Sequence, residues 1–144
     1  MAQGKALAYG HSYTGNALGC AAAKASLEVF ENEPVLEGLQ AKIRYLSSAL
    51  SGLKELPGVK EVRQCGFIAR IETARFVMAA AVCLEARRHG LLTRPIWNVV
   101  VLMPPLCITM AQLTKAVEAL RASIVEVWRC SNASTRIDAE EVTT

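Results

Sequence analysis

At 144 residues the chain is the size of one ordinary domain, and 52% hydrophobic against 20% charged residues excludes a disordered or acidic-tail protein. Lys and Arg total 16 against 13 Asp and Glu, a net charge of +3. These basic residues are scattered, so the clustered footprint of a nucleic-acid binder is missing. The longest uncharged run, 95–114, contains Asn98, Pro104, Pro105 and Gln112 and makes a poor membrane span.

Five cysteines (Cys20, Cys65, Cys83, Cys107 and Cys130) are an odd number with no C-x-x-C pair. That pattern favours reduced, buried structural thiols in an intracellular protein over a disulfide framework or a zinc site.

In chain order, residues 1–16 form a polar, glycine-punctuated loop ending in Gly10-His11-Ser12-Tyr13-Thr14-Gly15-Asn16. Asn16 is a good N-cap for a helix from Ala17 to about Glu31, whose first half is small and apolar on every side. Little else in so short a chain could cover such a helix. Pro34 opens a second helix to about Leu53, with Leu36, Leu39, Ile43, Leu46, Leu50 and Leu53 on one stripe. Val59–Gln64 and Phe67–Glu72 alternate apolar and polar residues around Gly66, which predicts a β-hairpin. A third helix spans Phe76–His89 and stops at Gly90. Leu91–Thr93 and Val99–Met103 read as short strands, the second halted by Pro104-Pro105. Thr109-x-x-Gln112 has capping-box spacing and starts a last helix from Met110 to about Arg129, buried through Leu113, Val117, Leu120, Ile124 and Val127. Residues 131–144 carry few apolar side chains and read as a disordered tail. The order predicts an α/β fold of α+β character: a small antiparallel or mixed sheet with helices on one face, preceded by a long helix.

Most catalytic constellations are missing. His11 and His89 have no partner at metal-ligand spacing, and a Cys20–His11 nucleophile pair is a poor fit to a cysteine inside an Ala-rich helix. Two segments carry a signal. The hydroxyl-bearing loop 10–16 feeding a helix N-terminus suits a phosphate or carboxylate, though an ordinary capped loop reads the same way. Arg94 is the one charge between His89 and Lys115. In such apolar company a guanidinium needs a partner, either a ligand carboxylate held bidentately or an internal glutamate.

Residues 10–23, Gly-His-Ser-Tyr-Thr-Gly-Asn-Ala-Leu-Gly-Cys-Ala-Ala-Ala, resemble the loop and helix that follow the active-site lysine segment of class III pyridoxal-phosphate aminotransferases. Thr93-Arg94-Pro95 with Asn98-Val99-Val100-Val101-Leu102-Met103-Pro104-Pro105, and Val62-Arg63-x-x-Gly66-x-Ile68, resemble the branch that serves biotin biosynthesis. The resemblance runs over about residues 5–129 and covers only the C-terminal third of such enzymes. It implies a phosphate loop (1–16), an interdomain helix (17–33), the C-terminal small domain of a fold-type I aminotransferase (34–130) and a tail (131–144). It also implies roles: Ser12 toward the phosphate of pyridoxal 5'-phosphate across a homodimer interface, Gly10 as a backbone contact near the substrate, and Arg94 on a substrate carboxylate. In this branch an amino group moves from S-adenosylmethionine to 8-amino-7-oxononanoate, in the cytoplasm of bacteria and often the mitochondria of eukaryotes, without nucleic acid, membrane or metal.

The Schiff-base lysine is expected upstream of position 1, since Lys5 stands too close to the loop to serve. The 144 residues alone are therefore expected to be inactive. Trp97 stands where the family usually has glycine. Two other readings stay open: another class III transaminase acting on ω-amino acids, and a non-catalytic remnant serving as an interaction module.

Overall fold

The computed structural model describes residue 10 and residues 12–141; Lys5 and His11 lie outside the described residues. Two compact units divide between Glu37 and Gly38.

The first unit carries a turn at residues 12–15 and helix α1, Ala17–Asn32. Asn16 caps the helix as its sequence position predicts, accepting a hydrogen bond from the Gly19 N–H at 2.9 Å. No residue of α1 is buried, and Leu18 is 82% exposed. The Ala-rich helix therefore keeps its apolar surface uncovered.

Helix α2, Val35–Ser51, has its first three residues in the first unit and the rest in the second. There follow strands β1 (Val59–Cys65) and β2 (Ile68–Thr73), helix α3 (Phe76–Arg88), strands β3 (Pro95–Ile96) and β4 (Val99–Leu102), and helix α4 (Met110–Glu141). The four strands form one antiparallel sheet in the order β1-β2-β4-β3. The register aligns Val62, Ile71 and Val100 in one row across the sheet. All three are buried, in a single core cluster with Leu46 and Leu50 of α2, Val82 of α3, and Leu113, Leu120 and Ile124 of α4. Strand residues one step out of phase (Arg63, Arg70, Glu72, Val101) are exposed or half-buried. Helices thus cover one face of the sheet, as period-two patterning requires. The capping box forms at α4: the Thr109 N–H donates to Gln112 Oε1 at 2.9 Å and the Gln112 N–H to Thr109 Oγ1 at 3.2 Å.

Three expectations need correction. Leu91–Thr93 is not a strand; the edge strand is Pro95–Ile96, because Val99 and Val100 fold back on it through a two-residue turn. Helix α4 runs on to Glu141 instead of stopping near Arg129, through a stretch with neither glycine nor proline to break it. Of the five free cysteines only Cys83 is buried; Cys20, Cys65, Cys107 and Cys130 are exposed. Burial pushes the Cys83 thiol up from its usual range, so its reactive thiolate is scarce as well as shielded. Ellman titration of the native chain is expected to give four fast thiols and a fifth only on unfolding. Five fast thiols would show that α3 does not hold Cys83 in the core.

Candidate functional site

Ser12 belongs to the turn that enters α1 and Gly10 stands two positions before it in the chain; both are exposed. The turn closes with the Asn16 N–H donating to the Tyr13 carbonyl at 3.1 Å. At a helix start the first amides have no intrahelical acceptor. Here the Gly19 amide is taken by Asn16 Oδ1 and the Cys20 amide by the Asn16 carbonyl. That leaves the Ala17 and Leu18 N–H groups without partners among the described residues, close in sequence to the Ser12 hydroxyl. No acidic side chain occupies the first turn of α1. Two amides at the positive end of a helix dipole, with a hydroxyl a few residues earlier in the chain, are donors of the kind that suits a phosphate-like anion.

Arg94 directly precedes β3 in the second unit. It is exposed, and no ion pair or hydrogen bond engages it among the described residues. Of the two partners that the sequence allows, no internal glutamate reaches it among the described residues. Nor does burial demand one: the apolar residues around Arg94 are themselves surface residues, with Leu92 82%, Trp97 77% and Met103 68% exposed. Water solvates the guanidinium, and its five donors are free to take a carboxylate in a two-pronged grip. Pro95 fixes the backbone beside it, and the Thr93 hydroxyl donates to the Val101 carbonyl, tying the approach segment to β4.

The hairpin around Gly66 is the one that the sequence predicts, whereas no sequence pattern announces the turn at Trp97. Cys65 pairs with Ile68 across the two-residue turn Gly66-Phe67, and Ile96 pairs with Val99 across the two-residue turn Trp97-Asn98. The first turn residue has φ +55° at Gly66 and φ +58° at Trp97. Such turns need a left-handed first residue, which glycine adopts freely and a bulky side chain adopts at a cost of about 1–2 kcal/mol. The resemblance expects glycine at Trp97, and the turn geometry shows why. Asn98 and Thr73 hold the strained turn in place. The Thr73 N–H and hydroxyl each reach the Asn98 carbonyl at 2.8 Å, and the Asn98 side-chain amide reaches Glu72 Oε1 at 3.4 Å and the Thr73 carbonyl at 3.3 Å. Trp97 meets Phe76, at the start of α3, edge-on with ring centroids 6.2 Å apart. Glu72 and Phe76 are absent from the sequence-derived site because only the folding of β2 and α3 against the β3–β4 hairpin brings them beside Asn98 and Trp97.

On the open face of the sheet, Glu72 is held by Lys60 at 2.7 Å and Arg70 at 3.0 Å, and Glu61 by Arg63 at 2.6 Å. The Lys60 ammonium, more than Asn98 or Arg70, keeps the Glu72 carboxyl below its ordinary value of about 4.5; Arg63 does the same for Glu61. A carboxyl whose folded pKa is lowered contributes stability that is complete above the unfolded value and fades as pH falls through the folded one. The urea midpoint is therefore expected to drop below about pH 4.5. Glu72→Gln should flatten part of that drop, and an unchanged acid limb in this variant would remove Glu72 from the account. A groove of about 870 Å³ between α3 and α4, lined by Arg75, Met78, Leu84, Glu85 and Val127, contains none of the candidate site residues Gly10, Ser12 and Arg94.

Among the described residues there is no cluster of metal-ligating side chains, and no helix is long and apolar enough to cross a membrane. The fold is the antiparallel sheet-and-helix unit of aminotransferase small domains. The aminotransferase class III profile matches residues 1–124, and the chain belongs to that family. It is 44% identical over 131 residues to the adenosylmethionine-8-amino-7-oxononanoate aminotransferase of Geobacter sulfurreducens, covering 83% of this chain and 29% of that protein. To the protein of the same name from Nitratidesulfovibrio vulgaris it is 43% identical, covering 83% of this chain and 24% of that protein. A crystal structure of the Methanocaldococcus jannaschii protein of that name superposes with a TM-score of 0.75 at 40% identity, over 83% of this chain and 30% of that one. The chain thus spans under a third of the length of these relatives.

Proposed function

We propose that these residues are the phosphate-loop and small-domain part of a pyridoxal-phosphate aminotransferase that moves an amino group from S-adenosylmethionine to 8-amino-7-oxononanoate, giving 7,8-diaminononanoate. The observation that carries the reading is Arg94, an exposed arginine with free donors on an ordered hairpin, in a chain over 40% identical to relatives bearing that name. Ser12 with the Ala17 and Leu18 amides fits the cofactor's phosphate: the set is all donors, it sits at the positive end of a 16-residue helix, and no carboxylate competes there. When bound, pyridoxal phosphate supplies the electron sink for amino-group transfer. This chain's residues bind and orient. Ser12 and α1 fix the phosphate end, Gly10 leaves backbone room beside the substrate, and Arg94 holds a substrate carboxylate. The uncovered α1 fits a helix that a homodimer and the rest of the enzyme would enclose, in the cytoplasm or a mitochondrion.

The test compares the 144-residue chain with the longer polypeptide carrying it, with 7,8-diaminononanoate formation read by mass spectrometry. The longer enzyme is expected to form product and the 144 residues alone to form none, for lack of the Schiff-base lysine. Turnover by the short chain would overturn the division of labour proposed here. A longer enzyme that ignores this substrate pair but accepts an ω-amino acid would shift the substrate assignment.

A further inference from the structure

The hairpin that carries Arg94 maintains a costly conformation to display a large aromatic side chain. Trp97 occupies left-handed backbone at φ +58° and is 77% exposed, so nothing among the described residues buries the ring to offset the strain. Strain of this kind persists where surrounding bonds over-determine it, and it concentrates at binding sites. Here Thr73 and Asn98 supply those bonds, and Phe76, itself 64% exposed, steadies the indole edge-on. Arg94 lies three residues away along extended chain, about 10 Å between Cα atoms. A substrate anchored by its carboxylate at Arg94 therefore has its non-reacting end within reach of the indole.

We propose that Trp97 is a specificity-determining residue of the carboxylate subsite, its ring receiving the cationic sulfonium end of the amino donor. This rests on the aminotransferase reading above. Cations favour the face of an indole over every other aromatic ring, whereas the oxo-acid acceptor carries its one ammonium beside the reacting ketone and has only uncharged methylenes to place near its carboxylate. Trp97 therefore discriminates between the two substrates that share Arg94.

The experiment uses the longer enzyme with Trp97→Gly and Trp97→Phe, each half-reaction being measured separately. Trp97→Gly is expected to lower kcat/KM for S-adenosylmethionine about 10- to 30-fold, the worth of one desolvated cation–π contact. The value for 8-amino-7-oxononanoate should stay within about twofold, and Trp97→Phe should recover most of the loss. S-adenosylmethionine should quench part of the tryptophan fluorescence of the parent enzyme, methionine should not, and that part should be missing in Trp97→Phe. Equal losses for both substrates would make Trp97 a structural residue, and no loss with no quenching would remove it from the subsite; either result overturns the proposal. An enzyme that uses neither substrate overturns the aminotransferase assignment itself, a different and separable result.

Discussion

Arg94→Gln in the longer enzyme is expected to lower kcat/KM for the carboxylate substrates by a hundredfold to several thousandfold. A guanidinium–carboxylate fork makes two charge-assisted hydrogen bonds, each about 1.5–3 kcal/mol, and about 3–5 kcal/mol together corresponds to that range. The carboxylate is gripped before and during the reaction, so most of the loss should appear in KM. Arg94→Lys keeps the charge but not the planar fork and should recover only part of the activity. Stability should barely change, because Arg94 is exposed and bonds to no described residue. A urea midpoint equal to the parent's separates lost binding from lost folding, and a change in kcat/KM of less than about threefold would mean that Arg94 holds no carboxylate.

The sequence made most of the scaffold legible and only part of the site. Asn16, Gly90 and the Thr109–Gln112 pair act locally, so their capping roles could be read from spacing alone. The helical stripes through Leu46 and Leu50 and through Leu113, Leu120 and Ile124 could be read because core burial enforces their period. The second hairpin was missed because its turn residue is Trp97: without an Asn-Gly or Gly-x signature nothing marks a two-residue turn, and the strand was placed at Leu91–Thr93. Arg94 stands out in the sequence for a reason that the fold does not bear out. Its apolar neighbours suggested burial, but Leu92, Trp97 and Met103 are exposed, so the guanidinium is available to a ligand without needing an internal partner. The four exposed cysteines make the same point, since composition says which residues prefer the interior and not which ones a small sheet has room to cover.

Strand register has a sharp mutational signature. Ile71 is fully buried at the centre of the sheet, flanked by Val62 on β1 and Val100 on β4, whereas Ile68 on the same strand is 47% exposed on the open face. Ile71→Ala removes three carbons from a packed row and leaves a cavity that three strands and their helices cannot close. The expected cost is about 2–5 kcal/mol, a large share of the roughly 5–15 kcal/mol that holds a domain together. In a domain of this size it should lower Tm by roughly 8–15 °C. Ile68→Ala should cost no more than about 1 kcal/mol, because its side chain already meets water. Urea midpoints for the two variants measure the difference directly. Because a one-residue slip exchanges the two faces of a strand, equal costs, or the larger one at Ile68, would show that β2 pairs in another register and that the Glu72–Asn98 brace beneath Trp97 is misplaced.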